Sequence, residues 1–222
     1  MAKSTKPKVK RETAKKVKVG TTKKGKDTTK PQARRGTSKP KVKIENVVAS
    51  TSLGVELDLE AIAATLADTE YEPEQFPGLI LRLFEEKVGV KAAVLVFRSG
   101  KMVCTGTRSP ESIRVAIKAA IKLLETVPKT KIPRKYEVTV QNIVASSDLK
   151  TELNLDRIAF TLDNAEFEPE QFPGLVYRMA VPKVVFLLFR SGRIICTGAK
   201  NIEDVHTAIK KLQKELREIE AM

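Results

Sequence analysis

Apolar positions along this chain follow two spacings, and the same succession of spacings occurs twice. Residues 41–50 are rich in β-branched side chains, which predicts a strand. Asp58, its counterpart Asn154, and Ser109 each precede apolar residues at helical spacing, as N-caps do, and Pro110 suits a first helical position. The predicted stripes are Leu59, Ile62, Ala63, Leu66 and Leu155, Ile158, Ala159, Leu162 for the short helices, and Ile113, Ala116, Ile117, Ala120, Ile121, Leu124 and Val205, Ala208, Ile209, Leu212, Leu216, Ile219 for the long ones.

Strands are predicted between the helices: one near Tyr71, one from Leu79, and a hairpin of residues 92–97 and 101–105 that turns at Ser99-Gly100. Each half therefore has the order β-α-β-β-β-β-α. Hairpin connections of this kind predict an α+β fold, in which two helices cover one face of an antiparallel sheet.

An internal duplication organises the chain. The segment Glu72-Pro73-Glu74-Gln75-Phe76-Pro77-Gly78-Leu79 returns without change at 168–175, an offset of 96. After a deletion of four residues the offset is 92, and it aligns Phe97-Arg98-Ser99-Gly100 with Phe189-Arg190-Ser191-Gly192 and Cys104-Thr105-Gly106 with Cys196-Thr197-Gly198. The predicted organisation is a tail at 1–40, a first repeat at 41–132 and a second at 133–222.

One sheet face has no predicted cover. Residues 94–97 and 186–189 are apolar on both faces, where a half-solvated strand would alternate. Two helices in each half can cover only one face, so Leu95, Phe97, Leu187 and Phe189 share a face that no other part of the chain covers. Such a surface indicates an interaction site. The alternative is that the two sheets pack on each other or on a second subunit.

The net charge of +14 belongs almost wholly to the N-terminal segment. Residues 1–43 contain 17 Lys and Arg against Glu12 and Asp27, which leaves 24 basic and 25 acidic residues in the rest. Residues 1–40 have few large apolar side chains and are predicted to be disordered. They are either a solvating leader or a phosphate-binding arm without sequence preference.

Several classes of function find little support. No apolar run predicts a membrane span or a signal peptide, and two cysteines fit a reducing compartment. We expect Cys104 and Cys196 to be buried thiols. The single histidine, His206, has no soft ligand nearby, and the glutamate pairs 72/74 and 168/170 imply no pocket, so neither catalysis nor a cofactor or metal is predicted. The expected location is the cytoplasm, in association with the nucleoid, or the nucleus in a eukaryote.

The paired EPEQFPGL segments, the Asn-(Val/Ile)-Val strands around Asn46 and Asn142, and the two Phe-x-Ser-Gly-(Lys/Arg)-x-x-Cys-Thr-Gly hairpins resemble the TATA-box-binding protein family. The resemblance covers residues 41–220. Because Pro-Gly-Leu is present in both halves, the sequence is more similar to the archaeal members of this family. The resemblance implies two pseudo-symmetric halves that form one saddle-shaped sheet of ten strands with four helices on the convex face, and a concave face that binds the DNA minor groove.

The resemblance also implies roles for individual residues. Those implied as wedges between base steps are Phe76, Phe97, Phe172 and Phe189. Those implied to contact bases are Asn46, Asn142, Thr105, Thr197, Val48, Val144, Val103, Ile195, Leu95 and Leu187. Candidates for phosphate contacts are Arg82, Arg178, Arg98, Arg190, Lys101 and Arg193, although Arg98 and Arg190 depart from the small or apolar residue usual in the family.

The implied function is that of a general transcription initiation factor, not an enzyme, which binds and kinks A/T-rich promoter DNA. The implied protein partners are a transcription factor B-like protein, docking at Glu168, Glu170 and Gln171, and RNA polymerase. Because the first half has the identical residues Glu72, Glu74 and Gln75, this motif does not explain why the partner would bind one half and not the other. One alternative is a protein-interaction module that uses the apolar face and forms a homodimer when free. Another is a DNA-repair glycosylase, but no residues remain for its catalytic domain.

Overall fold

One antiparallel sheet of ten strands runs through both halves of the chain. The structure, a computed structural model, describes residues 41–222, so the predicted basic tail lies outside the described residues. The first half contributes β1 Lys43–Ser52, β2 Thr69–Glu70, β3 Gly78–Leu83, β4 Ala92–Phe97 and β5 Lys101–Thr107. The second half contributes β6 Thr139–Asp148, β7 Ala165–Glu166, β8 Leu175–Met179, β9 Val184–Leu188 and β10 Arg193–Ala199.

The order of strands across the sheet reads the same from both edges. It is β2-β3-β4-β5-β1-β6-β10-β9-β8-β7, so each half is a five-stranded sheet and the first strands of the two halves, β1 and β6, pair at the centre. The predicted α+β fold, with two repeated halves in one antiparallel sheet, is confirmed.

The described residues form the helices α1 Leu59–Thr65, α2 Glu85–Val88, α3 Pro110–Glu125, α4 Leu155–Thr161 and α5 Ile202–Glu218. Helices α1, α3 and α4 begin directly after the predicted N-cap residues. The side chain of Asp58 accepts from the Ala61 amide at 3.0 Å, and Asn154 caps α4 in the same way. Ser109 caps α3, with Pro110 at its first position. These caps satisfy amide groups that have no partner inside the helix.

Two details differ from the prediction. The one-turn helix α2 is a fifth helix, and it occupies the loop that is four residues longer in the first half. The strand predicted near Tyr71 is the two-residue β2, which ends before that tyrosine. Both lie at the outer edge of the first half, where short segments have too few residues to show a clear period.

The predicted apolar stripes form the core between the sheet and its helices. Ile113, Ile117 and Leu124 of α3 are fully buried, and their counterparts in α5 are buried as well. Helix α3 packs on β1, β3, β4 and β5, while α5 packs on β6 and β10. The described helices that pack on the sheet do so on one side, and the opposite side is called the open face below.

Glycines shape the hairpin between β4 and β5. Gly100 has a φ of 77°, and a side chain there would collide with the carbonyl oxygen of Val55. Its amide donates to the carbonyl oxygen of Phe97 at 2.9 Å, which closes the turn. Gly192 has a φ of 84° and approaches Thr151 in the same way. Only glycine combines this dihedral angle with so close a backbone contact.

Candidate nucleic-acid interface

Side chains on the open face come from alternate positions of the central strands in each half. Leu95, for example, is partly exposed, whereas its neighbours Val94 and Val96 are 0% exposed beneath the helices. This alternation follows from the pleat of a β-strand. Twelve residues predicted as wedges or base contacts are partly exposed at such alternate positions or just beyond a strand end: Asn46, Val48, Leu95, Phe97, Val103, Thr105, Asn142, Val144, Leu187, Phe189, Ile195 and Thr197.

The centre of the open face is defined by the pairing of β1 with β6. Asn46 lies opposite Val144, and Val48 lies opposite Asn142. The two asparagines and two valines therefore form a four-residue set in which each half contributes one of each. At these four positions a ligand meets the same side chains in both directions.

Each central asparagine is held by its own half. The Gly106 amide donates to Asn46 Oδ1 at 2.9 Å, and Asn46 Nδ2 donates to Thr105 Oγ1 at 3.0 Å. The second half repeats this, with Gly198 N to Asn142 Oδ1 at 2.7 Å and Asn142 Nδ2 to Thr197 Oγ1 at 3.2 Å. Since the oxygen is occupied by a backbone donor, the amide orientation is set and one hydrogen on Nδ2 remains available for a ligand.

The structure thereby adds Gly106 and Gly198, to which the sequence analysis gave no role. Their φ values of 99° and 101° are in the region that favours glycine. The signal was present in the repeated Cys-Thr-Gly motif, but only the strand register shows that its glycine amide faces an asparagine on another strand.

One pair of central hydrogen bonds breaks the symmetry in charge. Ser146 donates to Glu45 Oε1 at 2.6 Å, and at the symmetry-related place Gln141 Nε2 donates to Ser50 Oγ at 2.7 Å. Hydrogen bonds from Lys43 and then Ser146 lower the pKa of Glu45, so this carboxylate is ionised at neutral pH. The middle of the sheet thus carries a carboxylate, paired with Lys43 at 2.8 Å, on one side and a neutral amide on the other.

The four phenylalanines form two pairs, one towards each end of the open face. The ring centroids of Phe76 and Phe97 are 5.8 Å apart at 66°, and those of Phe172 and Phe189 are 6.0 Å apart at 67°. This is the edge-to-face arrangement that aromatic pairs prefer. Although aromatic, Phe172 is 38% exposed.

Glycine makes room for each aromatic pair. A Cβ atom placed on Gly78 would lie 2.7 Å from a ring carbon of Phe76 and 3.0 Å from one of Phe97. The same atom on Gly174 would lie 2.7 Å from Phe172 and 3.0 Å from Phe189. Because the glycine of the duplicated segment has no side chain, the two rings can pack directly against its backbone.

Four of the six predicted phosphate contacts lie on the same side of their strands as the open-face residues. Arg82 and Arg178 are exposed on β3 and β8, and Lys101 and Arg193 are exposed at the starts of β5 and β10. Arg82 donates to Glu70 from Nε at 2.7 Å and from Nη2 at 3.0 Å, a hydrogen-bonded pair that raises the pKa of this arginine and lowers that of the glutamate. Because both partners are exposed, the pair adds little to stability and can open when a phosphate approaches.

Arg98 and Arg190 point elsewhere. Arg98 Nη2 lies 3.0 Å from Glu60 on α1, and Arg190 Nη2 lies 3.5 Å from Asp156 on α4. Both arginines directly follow an open-face phenylalanine and lie in the turns after β4 and β9, which direct them towards α1 and α4. Their predicted phosphate contacts would require these side chains to swing away from the acidic residues.

The duplicated segment forms the same turn in both halves. The carbonyl oxygen of Glu168 accepts from the amides of Gln171 and Phe172, both at 3.0 Å, and that of Glu72 accepts from Gln75 and Phe76 at 2.9 Å. The predicted partner residues Glu168, Glu170 and Gln171 are all exposed. Each turn thus joins an exposed acidic loop to a phenylalanine of the open face.

The remaining reactive groups are placed away from the open face. Cys104 and Cys196 are buried free thiols, as predicted, and burial raises the pKa of each to about 12. His206 is exposed on α5. Within residues 41–222, no group of three His, Cys, Asp or Glu side chains has the geometry of a metal site. In the same range no helix has the length and apolar character needed to cross a bilayer.

Comparisons with known proteins agree with this geometry. The family model described as transcription factor TFIID (or TATA-binding protein, TBP) matches residues 41–127 and 137–219. A TATA-box-binding protein of Archaeoglobus fulgidus is 52% identical over 184 residues, which cover 82% of this chain and 98% of the relative. One from Pyrobaculum calidifontis is 51% identical over 180 residues, 81% of this chain and 88% of that protein.

A solved structure shows the same likeness. The structure of Methanococcus jannaschii TBP superimposes with a TM-score of 0.73 at 49% sequence identity, and the match covers 81% of this chain and 99% of that one. The predicted resemblance to the archaeal members is thereby confirmed. Over its described residues, this chain belongs to the TATA-binding protein family.

Proposed function

We propose that this chain is a general transcription initiation factor that binds the minor groove of A/T-rich, TATA-box promoter DNA through its open face. The observation that carries the proposal is the pair of oriented asparagines at the centre of that face, midway between two aromatic pairs. The family relationship, and the names of the relatives, support the same function.

The central residues account for a preference for A/T pairs. Adenine N3 and thymine O2 are both acceptors in the minor groove, so one free hydrogen on Asn46 or Asn142 suits either. A guanine would present its amino group to these donors and to the apolar surface around them. In this proposal the surrounding contacts to the groove floor come from Thr105, Thr197, Val48, Val144, Val103, Ile195, Leu95 and Leu187.

The aromatic pairs account for bending. Apolar side chains that insert between base steps unstack them and kink the duplex, at a cost of a few kcal/mol for each step. The bent groove then covers more of the open face, which offsets that cost. Phe76 with Phe97, and Phe172 with Phe189, are the wedges in this proposal. Arg82, Arg178, Lys101 and Arg193 hold the flanking phosphates, and Arg98 and Arg190 join them only if they leave their acidic partners.

Protein partners complete the proposal. A transcription factor B-like protein docks at Glu168, Glu170 and Gln171, which are exposed beside the second aromatic pair. RNA polymerase then joins through the initiation complex, which locates the chain with the nucleoid in the cytoplasm. No catalytic step is proposed. In the absence of DNA, the apolar open face is the surface through which two copies would associate.

A competitive binding experiment tests the central claim. The full chain is titrated into a labelled TATA-like duplex and into a matched duplex with G·C pairs at the central steps, and anisotropy is recorded at several salt concentrations. We expect at least tenfold tighter binding to the TATA-like duplex, equivalent to about 1.4 kcal/mol or more. Equal binding to both duplexes would refute the promoter function and favour a protein-interaction role for the open face.

A further inference from the structure

A phenylalanine with almost no contact to its own chain lies on helix α4. Phe160 is 95% exposed, the largest exposed fraction among the large apolar residues in the described part of the chain. Its counterpart in α1 is Ala64, at the offset of 96. The two helices otherwise agree: both are seven residues long, both have a side-chain N-cap, and both bury a Leu and an Ile against the sheet. Core packing therefore does not account for the aromatic ring.

The surface around Phe160 is charged but locally balanced. Asp156 and Arg157 are four and three residues before it, on the same face of the helix. Asp156 pairs with Arg190 at 3.5 Å, and Arg157 pairs with Glu220 at 3.0 Å. An apolar centre within a rim of polar side chains is the arrangement in which aromatic residues contribute most to protein interfaces.

An acidic segment continues from this helix to the second duplicated turn. Residues 163–170 contain four acidic side chains and no lysine or arginine, and α4 packs against β7 in the middle of that segment. The acidic side chains are Asp163, Glu166, Glu168 and Glu170. The charge complementary to such a segment is a group of lysines and arginines.

The first half has the acidic segment without the aromatic residue. Asp68, Glu70, Glu72 and Glu74 give residues 67–74 the same number of acids, and the turn itself is identical. Lys87 of α2 pairs with Asp68 of that segment, but Glu85 and Glu86 of the same helix leave the region acidic. The two halves therefore differ little in charge. They differ more in apolar surface, because the second half exposes Phe160 where the first half has Ala64.

We infer that Phe160 is the anchor of a docking surface that extends from α4 to the acidic turn at 168–171, and that it directs the partner to the second half. The occupant is a protein that inserts Phe160 into an apolar pocket bordered by lysines and arginines. We assign it to the transcription factor B-like partner, and in this respect the inference rests on the proposed function. Phe160 thus supplies the asymmetry that the duplicated glutamates lack.

The test compares binary and ternary complexes of the full chain. Wild type, Phe160→Ala and Phe160→Leu are each titrated into a labelled TATA-like duplex, and a purified archaeal transcription factor B is then titrated into the saturated complex. Val115→Ala is the matched control, because Val115 is 50% exposed on α3, away from this surface. Thermal unfolding is measured for every variant and should not change, since the ring of Phe160 is not packed.

We expect Phe160→Ala to leave DNA binding unchanged and to weaken the ternary complex by about tenfold or more, as loss of an aromatic anchor does. Phe160→Leu should recover most of the affinity, and Val115→Ala should match wild type. An undiminished ternary complex with Phe160→Ala would overturn the inference. A wild-type chain that binds the TATA-like duplex but not transcription factor B would overturn the assigned partner, and with it this inference.

Two further outcomes are separable. If the wild type does not prefer the TATA-like duplex, the proposed function itself fails, and this is read from the binary titration alone. If sedimentation shows a dimer that Phe160→Ala abolishes while the ternary complex is unaffected, a second copy of the chain is the occupant and the assignment to transcription factor B is wrong.

Discussion

Asn142 Oδ1 accepts a hydrogen bond from the Gly198 amide at 2.7 Å, although the two residues are on different strands and 56 positions apart. The bond fixes which side of the amide group is turned towards the strand and which side is turned outward. The same bond joins Asn46 to Gly106 at 2.9 Å. The central donors of the open face are therefore oriented before any ligand arrives, which lowers the entropy lost on binding.

Replacing Asn142 by aspartate separates its two roles. In Asn142→Asp the side chain still accepts from Gly198, so the fold and the thermal midpoint should hardly change. It can no longer donate to a groove acceptor, and it brings a negative charge towards DNA. We expect affinity for a TATA-like duplex, measured by anisotropy, to fall by about tenfold or more.

Asn154→Asp is the control for charge alone. It makes the same chemical change at the N-cap of α4, where aspartate is an equally good cap. This variant should bind DNA like wild type. If Asn142→Asp bound as tightly as Asn154→Asp, the proposed donor role of Asn142 would be wrong.

Removing the second aromatic pair should affect bending more than phosphate contacts. In Phe172→Ala and Phe189→Ala, energy transfer between fluorophores at the ends of a duplex should report a smaller bend. The slope of log affinity against log salt should stay close to wild type, because no phosphate contact is lost. Phe160→Ala is the matched control, since that ring lies outside the open face and should leave bending intact. A wild-type bend in both test variants would exclude the wedge role.

The sequence predicted those features that depend on neighbouring residues. The N-caps Asp58, Ser109 and Asn154, the apolar stripes of α3 and α5, and the hairpin at Gly100 all follow from local spacing. The uncovered sheet face was also predictable, because two helices in each half can cover only one side of the sheet.

Features that depend on contacts between distant residues could not be read from spacing. The hydrogen bond between Glu45 and Ser146 joins residues 101 positions apart and needs the register of β1 against β6. The contacts of Arg98 and Arg190 with the helices need the direction of a turn. The hydrophobic pattern of the sequence does not specify the strand register or the direction of these turns, because tertiary packing sets them.

Deleting the N-terminal segment tests whether it acts as a phosphate-binding arm. Residues 1–40 carry 15 Lys and Arg against Glu12 and Asp27. A chain that begins at residue 41 should show a smaller salt slope and weaker binding at low salt, because fewer counterions are released. Its preference for A/T pairs should persist, since phosphate contacts carry no sequence information. Loss of that preference in the same titrations would show that the segment reads bases, and an unchanged slope would favour the solvating leader.

The two identical turns allow a matched test of the partner site. Glu168→Lys with Glu170→Lys should weaken the ternary complex with transcription factor B by about tenfold, because charge reversal opposes a basic partner. Glu72→Lys with Glu74→Lys makes the same substitution at the same local structure in the first half and should have little effect on partner binding. Both pairs change the net charge equally, so any general effect on DNA affinity cancels in the comparison. Equal losses for the two double variants would contradict docking at the second half.

A charged difference between the central strands gives the last prediction: β1 has Glu45 where β6 has Gln141. Glu45 is ionised at neutral pH, because its hydrogen bonds from Lys43 and Ser146 lower its pKa, and Gln141 occupies the related place. A carboxylate so close to the proposed groove repels the phosphates, so Glu45→Gln should tighten binding to a TATA-like duplex by about threefold to tenfold.

The reverse change, Gln141→Glu, places the same charge on the other side of the centre and should weaken binding by a similar factor. A chain that carries both changes moves the carboxylate to the other side of the centre and should bind about as well as wild type. Its net charge is unaltered, which separates the local effect from a general one. Because the lowered pKa keeps Glu45 charged throughout the neutral range, the gain from Glu45→Gln should be constant between about pH 6 and pH 8. It should shrink only in acid, as the wild-type carboxylate takes up its proton. A gain that varied between pH 6 and pH 8 would mean that a different group controls the binding.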